Sequence, residues 1–151
     1  MDYDFFTKQL TALTEDCPFL IANLSNTAAL LWQNLPRINW AGFYICRGEE
    51  LILGPFQGKP ACIRIPVGKG VCGTAVRRDQ VQRVADVHAF PGHIACDSDS
   101  RSEIVIPLHA DGSIWGVLDI DSPETERFTE SDQQGLETVC REIEKFLSRD
   151  T

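Results

Sequence analysis

Cysteines and acids supply the chemistry available to this 151-residue sequence. Cys62, Cys72 and Cys96 each lie at the edge of a structural pattern, beside glycine, proline or loop residues. Cys96 falls in "FPGHIACDSDSRSEIVIP", after a Pro-Gly turn, with His88 and His93 before it and Asp97 after it. Cys72 follows Gly70-Val71 at a possible helix start, where free amides can lower a thiol pKa. Cys17, Cys46 and Cys140 lack polar company, and Cys140 sits on an apolar helical stripe, as expected of a small core residue. A cysteine can exchange two electrons through a sulfenic acid and a disulfide without a bound cofactor. A zinc site built from Cys62, Cys72, Cys96, His88 and His93 is the competing reading. Their spacing fits none of the paired-ligand patterns and no C-x-x-C occurs, so no metal is assigned.

The acids point the same way. In "WGVLDIDSP" strand alternation puts Val117, Asp119 and Asp121 on one face. Glu103 opens the strand "EIVIP", and the Asp111-Gly112 hairpin signal pairs that strand with the one carrying the aspartates. All three acids can then share a face. Like charges so placed fit either a solvated sheet edge or a cationic ligand, with one carboxyl held protonated by its neighbours. In "NWAGFY", Trp40, Gly42 and Tyr44 share a face as well. A tryptophan above a small, open glycine suits a pocket wall and also suits a core. Acids that hold an ammonium group and donate a proton, beside redox-active thiols, suit the reduction of a small zwitterion.

The elements that must position these residues follow from periodicity. Residues 2–34 read as two helices separated at Pro18, with apolar residues recurring every three or four positions. From residue 39 the period shifts to two: "NWAGFYICRG" and "EELILGPFQG" form a hairpin turning near Arg47-Gly48. "ACIRIPVGKG" follows as a strand, "GVCGTAVRRDQ" as a short helix or turn, and "QRVADV" as a short strand. A loop from His88 to Ser102 is longer than the usual connection and is expected to be functional. "FTESDQQGLETVCREIEKFL" is an amphipathic helix that Thr129 can cap with Asp132. His109, beside a hairpin turn, is expected to be exposed. Helices, an antiparallel meander and a closing helix make an α+β domain, expected as one unit over residues 1–151.

Composition excludes other classes. The formal net charge of −8 argues against nucleic-acid binding, which needs a basic surface. The Arg77-Arg78 pair, with Lys69 before it, reads as solvated. No apolar run reaches the ~20 residues that span a bilayer. The acidic start "MDYDFFTKQL" lacks the basic flank and apolar core of a signal peptide, so the cytoplasm is the expected location.

"NWAGFY", "LGPFQGKPACIRIPVGKGVCGTA", "VADVHAFPGHIACDSDSRSEIVIP" and "GVLDIDSP" resemble the free methionine-R-sulfoxide reductases, which are built on a GAF domain. The resemblance covers nearly the whole chain and is densest from Asn39 to Pro123. It implies a six-stranded antiparallel sheet with the N- and C-terminal helices on one face and a loop-covered pocket on the other. It implies a homodimer that reduces the R epimer of free methionine sulfoxide, repairing oxidative damage to methionine. Cys96 then matches the nucleophile, Cys62 the resolving cysteine, and Cys72 an auxiliary thiol. Glu103, Asp119 and Asp121 match the acids that bind and protonate substrate, and Trp40 and Tyr44 match residues lining the pocket. Thioredoxin would be the reductant, with NADPH acting indirectly through thioredoxin reductase, and no cofactor would be bound. The segment "RRDQVQ" departs from the usual turn, which bears only on local loop detail. A non-catalytic GAF sensor of a small ligand is the alternative that the fold permits.

Overall fold

The computed structural model describes residues 1–93 and 98–148. Two helices come first, α1 (Tyr3–Thr14) and α2 (Leu20–Asn34). Asp2 caps α1 by accepting from the Phe5 amide at 3.0 Å, which satisfies one of the amides a helix start leaves free. Strands β1 (Trp40–Arg47), β2 (Glu50–Gly58) and β3 (Arg64–Pro66) follow, then helix α3 (Gly70–Arg78) and strand β4 (Gln82–Val84). A short 3-10 turn, Val87–Ala89, opens the long loop. β5 (Ser102–Ala110), β6 (Ser113–Ser122) and α4 (Glu130–Leu147) complete the chain. The strands form one antiparallel sheet in the order β3-β2-β1-β6-β5-β4.

Alternation along the strands divides the molecule into two apolar layers. Ala41, Phe43, Ile104, Ile106, Leu108, Leu118 and Ile120 face α1, α2 and α4, where Phe6, Leu10, Leu31, Leu136, Ile143 and Phe146 close the larger core. The opposite face carries a smaller cluster of Trp40, Tyr44, Leu51, Ile65, Val71, Cys72, Ala75, Val105 and Val117 beneath α3. The terminal helices thus take one face and leave the other to α3 and the loops, as the family resemblance implied. Asp111 and Gly112 turn the β5–β6 hairpin with φ of 53° and 82°, the left-handed pair a two-residue hairpin needs. The Thr129–Asp132 capping box is present at α4. The strand expected over "ACIRIPVGKG" shortens to Arg64–Pro66, because Gly68 and Gly70 both take positive φ and turn the chain into α3.

His109 is exposed, as expected, but it is not idle. Its Nε2 lies 2.7 Å from Asp79 Oδ1 and its Nδ1 3.1 Å from Glu144 Oε2, linking the end of α3 to α4. Both contacts are hydrogen bonds only when both ring nitrogens carry protons. Partial burial pulls the imidazole pKa down, but the two carboxylates outweigh it and hold the value above the ordinary one. A raised folded-state pKa adds stability that is full below the unfolded value and is lost as pH rises through the folded one. His109→Gln is therefore expected to lower stability by about 0.5–1 kcal/mol near pH 6, the size of a half-exposed ion pair. In urea titrations the deficit should shrink as pH rises through the raised folded-state pKa.

Candidate active site

The register of three strands builds the site. Asp121 on β6 lies opposite Glu103 on β5 and Trp40 on β1, while Asp119 lies opposite Val105 and Gly42. The shared face inferred for the three acids is thus realised in the middle of the sheet, beside Tyr44, whose cross-strand partner is Val117. A solvated edge is excluded for Glu103 and Asp119, which are 7% and 5% exposed.

These side chains floor a cavity of about 50 Å³, room for several waters at ~10–15 Å³ each and so for a small ligand group. Trp40 and Tyr44 form one wall, Pro60 and Ala61 from the loop after β2 also line the cavity, and Cys72 comes from α3. His93 and Ser100, which bracket Cys96 in the chain, also line it. Cys96 itself lies outside the described residues. Cys62 is half-buried and disulfide-bonded, and its carbonyl accepts from Tyr44 Oη at 2.8 Å, which ties the loop after β2 to the sheet. Trp40 Nε1 donates to the Lys59 carbonyl at 3.1 Å and anchors the same loop. His88 is exposed and meets His93 edge-on, with ring centroids 6.5 Å apart.

Two expectations need correction. The space above Gly42 is not open: a Cβ there would meet Phe56 Cβ at 2.3 Å and the Pro55 carbonyl at 2.9 Å. A register shift in the β1–β2 pairing brings β2 against Gly42, and Phe56 stacks on Trp40 with ring centroids 5.2 Å apart. Phe56 is the residue that sequence reasoning missed. In "GPFQG" it lacks any regular alternation that would mark its side. The second correction concerns Cys72. Burial, then the charges of Asp119, Glu103 and Asp121, push its thiol well above the ordinary range, opposite to the lowering expected at a helix start. The thiol is free, and its proton is donated to Asp119 Oδ2 at 3.3 Å.

The acids share too little solvent for all to ionise. Burial first, and then Asp119 and Asp121, raise Glu103 well above the usual carboxyl range. Asp119 is also raised by burial, but hydrogen bonds from Glu103 and Cys72 oppose that rise. A bond between two carboxyl groups requires a proton on one of them. Glu103, the more strongly shifted, holds it, and Asp119 accepts. No lysine or arginine lines the cavity among the described residues.

A GAF domain family matches residues 20–147. The chain is 55% identical to the free methionine-R-sulfoxide reductase of Escherichia coli, over 97% of this chain and 88% of that protein. A solved fRMsr of Staphylococcus aureus in complex with substrate is 56% identical, with a TM-score of 0.92 over 97% and 96% of the two chains. The reductase of Neisseria meningitidis, also solved with its substrate, is 44% identical, with a TM-score of 0.94 over 97% and 89%. The chain belongs to the free methionine-R-sulfoxide reductase family. This family membership settles the fold and its enzymatic class, and a non-catalytic sensor falls away. Within this fold, Glu103, Asp119 and the aromatic wall of Trp40 and Tyr44 line one small cavity.

Proposed function

We propose that this protein reduces free L-methionine-(R)-S-oxide to methionine. One observation carries the reading: three acids converge in a small pocket that holds no lysine or arginine among its described residues. A ligand with an ammonium group meets that need, since buried carboxylates call for a positive partner. The aromatic wall of Trp40 and Tyr44 suits the methyl and thioether portion. The names of the relatives in Escherichia coli and Neisseria meningitidis point to the same substrate.

Protonated Glu103 hydrogen-bonds the sulfoxide oxygen, Asp119 and Asp121 hold the ammonium, and the Cys96 thiolate attacks the sulfur. The oxygen passes to Cys96 as a sulfenic acid, the substrate sulfur gains two electrons, and methionine leaves. The Cys62 thiol then condenses with the sulfenic acid, releasing water and forming a disulfide. Dithiol thioredoxin takes over that disulfide by exchange and returns both thiols, with NADPH supplying electrons through thioredoxin reductase. Cys72, protonated and bonded to Asp119, acts first as a donor. It exchanges as an auxiliary thiol only once that bond opens.

Residues 1–151 act as one domain in a homodimer, and exposed Phe5 on α1, Phe19 just before α2, and Ile21 and Trp32 on α2 offer apolar surface for a second copy. No helix among the described residues is long and apolar enough to cross a membrane. Cytoplasmic work fits a cycle that depends on thioredoxin.

The deciding assay incubates the protein with each free epimer and thioredoxin and measures methionine. Product from the R epimer alone is expected, and none from either epimer would end this reading. Phe56→Leu should raise KM about two- to tenfold with kcat little changed, the effect of losing ~0.5–1.5 kcal/mol of ring stacking behind Trp40. Steady-state kinetics on the free sulfoxide checks it.

A further inference from the structure

A second class of ligand fits the same pocket floor. The Cys72 Sγ and one carboxylate oxygen each from Glu103 and Asp119 all lie within 4.8 Å of one another. The Sγ–Oδ2 distance of 3.3 Å is close to the ~3.6 Å that a thiolate and a carboxylate span across a tetrahedral zinc ion. Beside that grouping, Asp119 Oδ1 is buried, and no amide, hydroxyl or cationic group donates to it. A buried polar atom left without a donor normally finds a water or an ion. We infer that the reduced pocket binds one zinc-class divalent cation through Cys72, Glu103 and Asp119, and that this cation excludes the substrate.

Sulfur and oxygen donors together select borderline ions such as Zn2+ and Co2+ over Mg2+ or Ca2+, which prefer oxygen alone. Binding releases the Cys72 thiol proton, and the Glu103 proton with it, so that two anions and a thiolate face the dication. Three protein ligands leave a fourth position for water. The set differs from the one weighed on sequence alone: His88 is exposed and takes no part. The ion would occupy Asp119, which the ammonium group needs, and Glu103, which the sulfoxide oxygen needs, so zinc and the amino acid compete. That competition rests on the reductase reading, whereas metal binding does not.

The test titrates Co2+ into reduced protein carrying Cys62→Ser and Cys96→Ser, which leaves Cys72 as the pocket thiol. One equivalent should bind and give a thiolate-to-cobalt absorption band, and Zn2+ should remove that band by displacement. Adding Cys72→Ser should abolish the band, and Asp119→Asn in its place should weaken binding at least about tenfold, the low end of what even an outer-shell partner costs. Circular dichroism verifies that each variant is folded, and Asp119→Asn serves if Cys72→Ser is not. A band that persists without Cys72, or affinity unchanged in Asp119→Asn, overturns the inference. So does the absence of any band in the parent. Free methionine should weaken Co2+ binding in the same protein. If the metal binds as described but methionine has no effect, the metal site stands and the substrate reading is the one that fails.

Discussion

Cys96→Ser is expected to abolish even a single turnover, with a loss on the order of 10⁴-fold or more, because a nucleophile that forms the covalent intermediate has no substitute. His93 and Ser100, on either side of Cys96 in the chain, both line the cavity floored by the acids. The other thiols are poorly suited to attack. Cys72 is buried and pushed well above the ordinary thiol range, so at neutral pH it is not a thiolate. Cys140 sits in the opposite core beneath α4. Cys62→Ser should behave differently: one methionine per chain appears in a rapid burst, and turnover then stalls with thioredoxin as reductant. Dithiothreitol, which can reduce a sulfenic acid directly, should restart it. Cys72→Ser should keep both the burst and most of the turnover. Rapid-quench measurement of methionine separates the three variants, and a full burst from Cys96→Ser would remove the nucleophile assignment.

Period-two patterning made the acid cluster legible in the sequence. Glu103, Asp119 and Asp121 fall on one face by parity alone once Asp111-Gly112 fixes the hairpin, and the structure pairs Glu103 with Asp121 as that parity requires. The helices at both ends were equally legible, since their apolar stripes and the Thr129–Asp132 cap are local signals. Two features were not. Phe56 reaches Trp40 through an irregular β1–β2 register, and a shift in pairing leaves no trace in either strand's own alternation. The pKa of Cys72 depends on burial and on acids 31 to 49 residues away in sequence, at Glu103, Asp119 and Asp121. A helix start seen locally suggests a lowered value, whereas the low-dielectric pocket with its negative neighbours produces a raised one. Local chemistry predicted the right residue and the wrong direction. The proton's place on Glu103 was illegible for the same reason: burial raises both acids, and it is the neighbouring charges and hydrogen bonds that separate them.

Glu103→Gln should separate stability from catalysis. In the folded protein burial and then Asp119 and Asp121 raise the Glu103 pKa well above its unfolded value, so folding near neutral pH takes up a proton. Stability contributed by such a group is full below the unfolded carboxyl pKa and falls as pH rises through the folded value. Glutamine is neutral throughout and can still donate a hydrogen bond to Asp119. The variant should therefore melt higher than the parent under alkaline conditions, and the gap should close as pH falls. Catalysis should move the other way. An amide can hydrogen-bond the sulfoxide oxygen but cannot deliver a proton to it, and losing a positioned acid typically costs ~10²–10⁴-fold in rate. In the parent, kcat should decline as pH rises through the raised Glu103 pKa, and in Glu103→Gln that decline should vanish along with most of the rate. Melting curves and kcat across pH 6–9 test both halves together. A variant that is stabilised but fully active would move the acid role to Asp119 or Asp121. One that is destabilised at high pH would mean that Glu103 is held as a carboxylate, and the proton would have to be placed elsewhere among the acids.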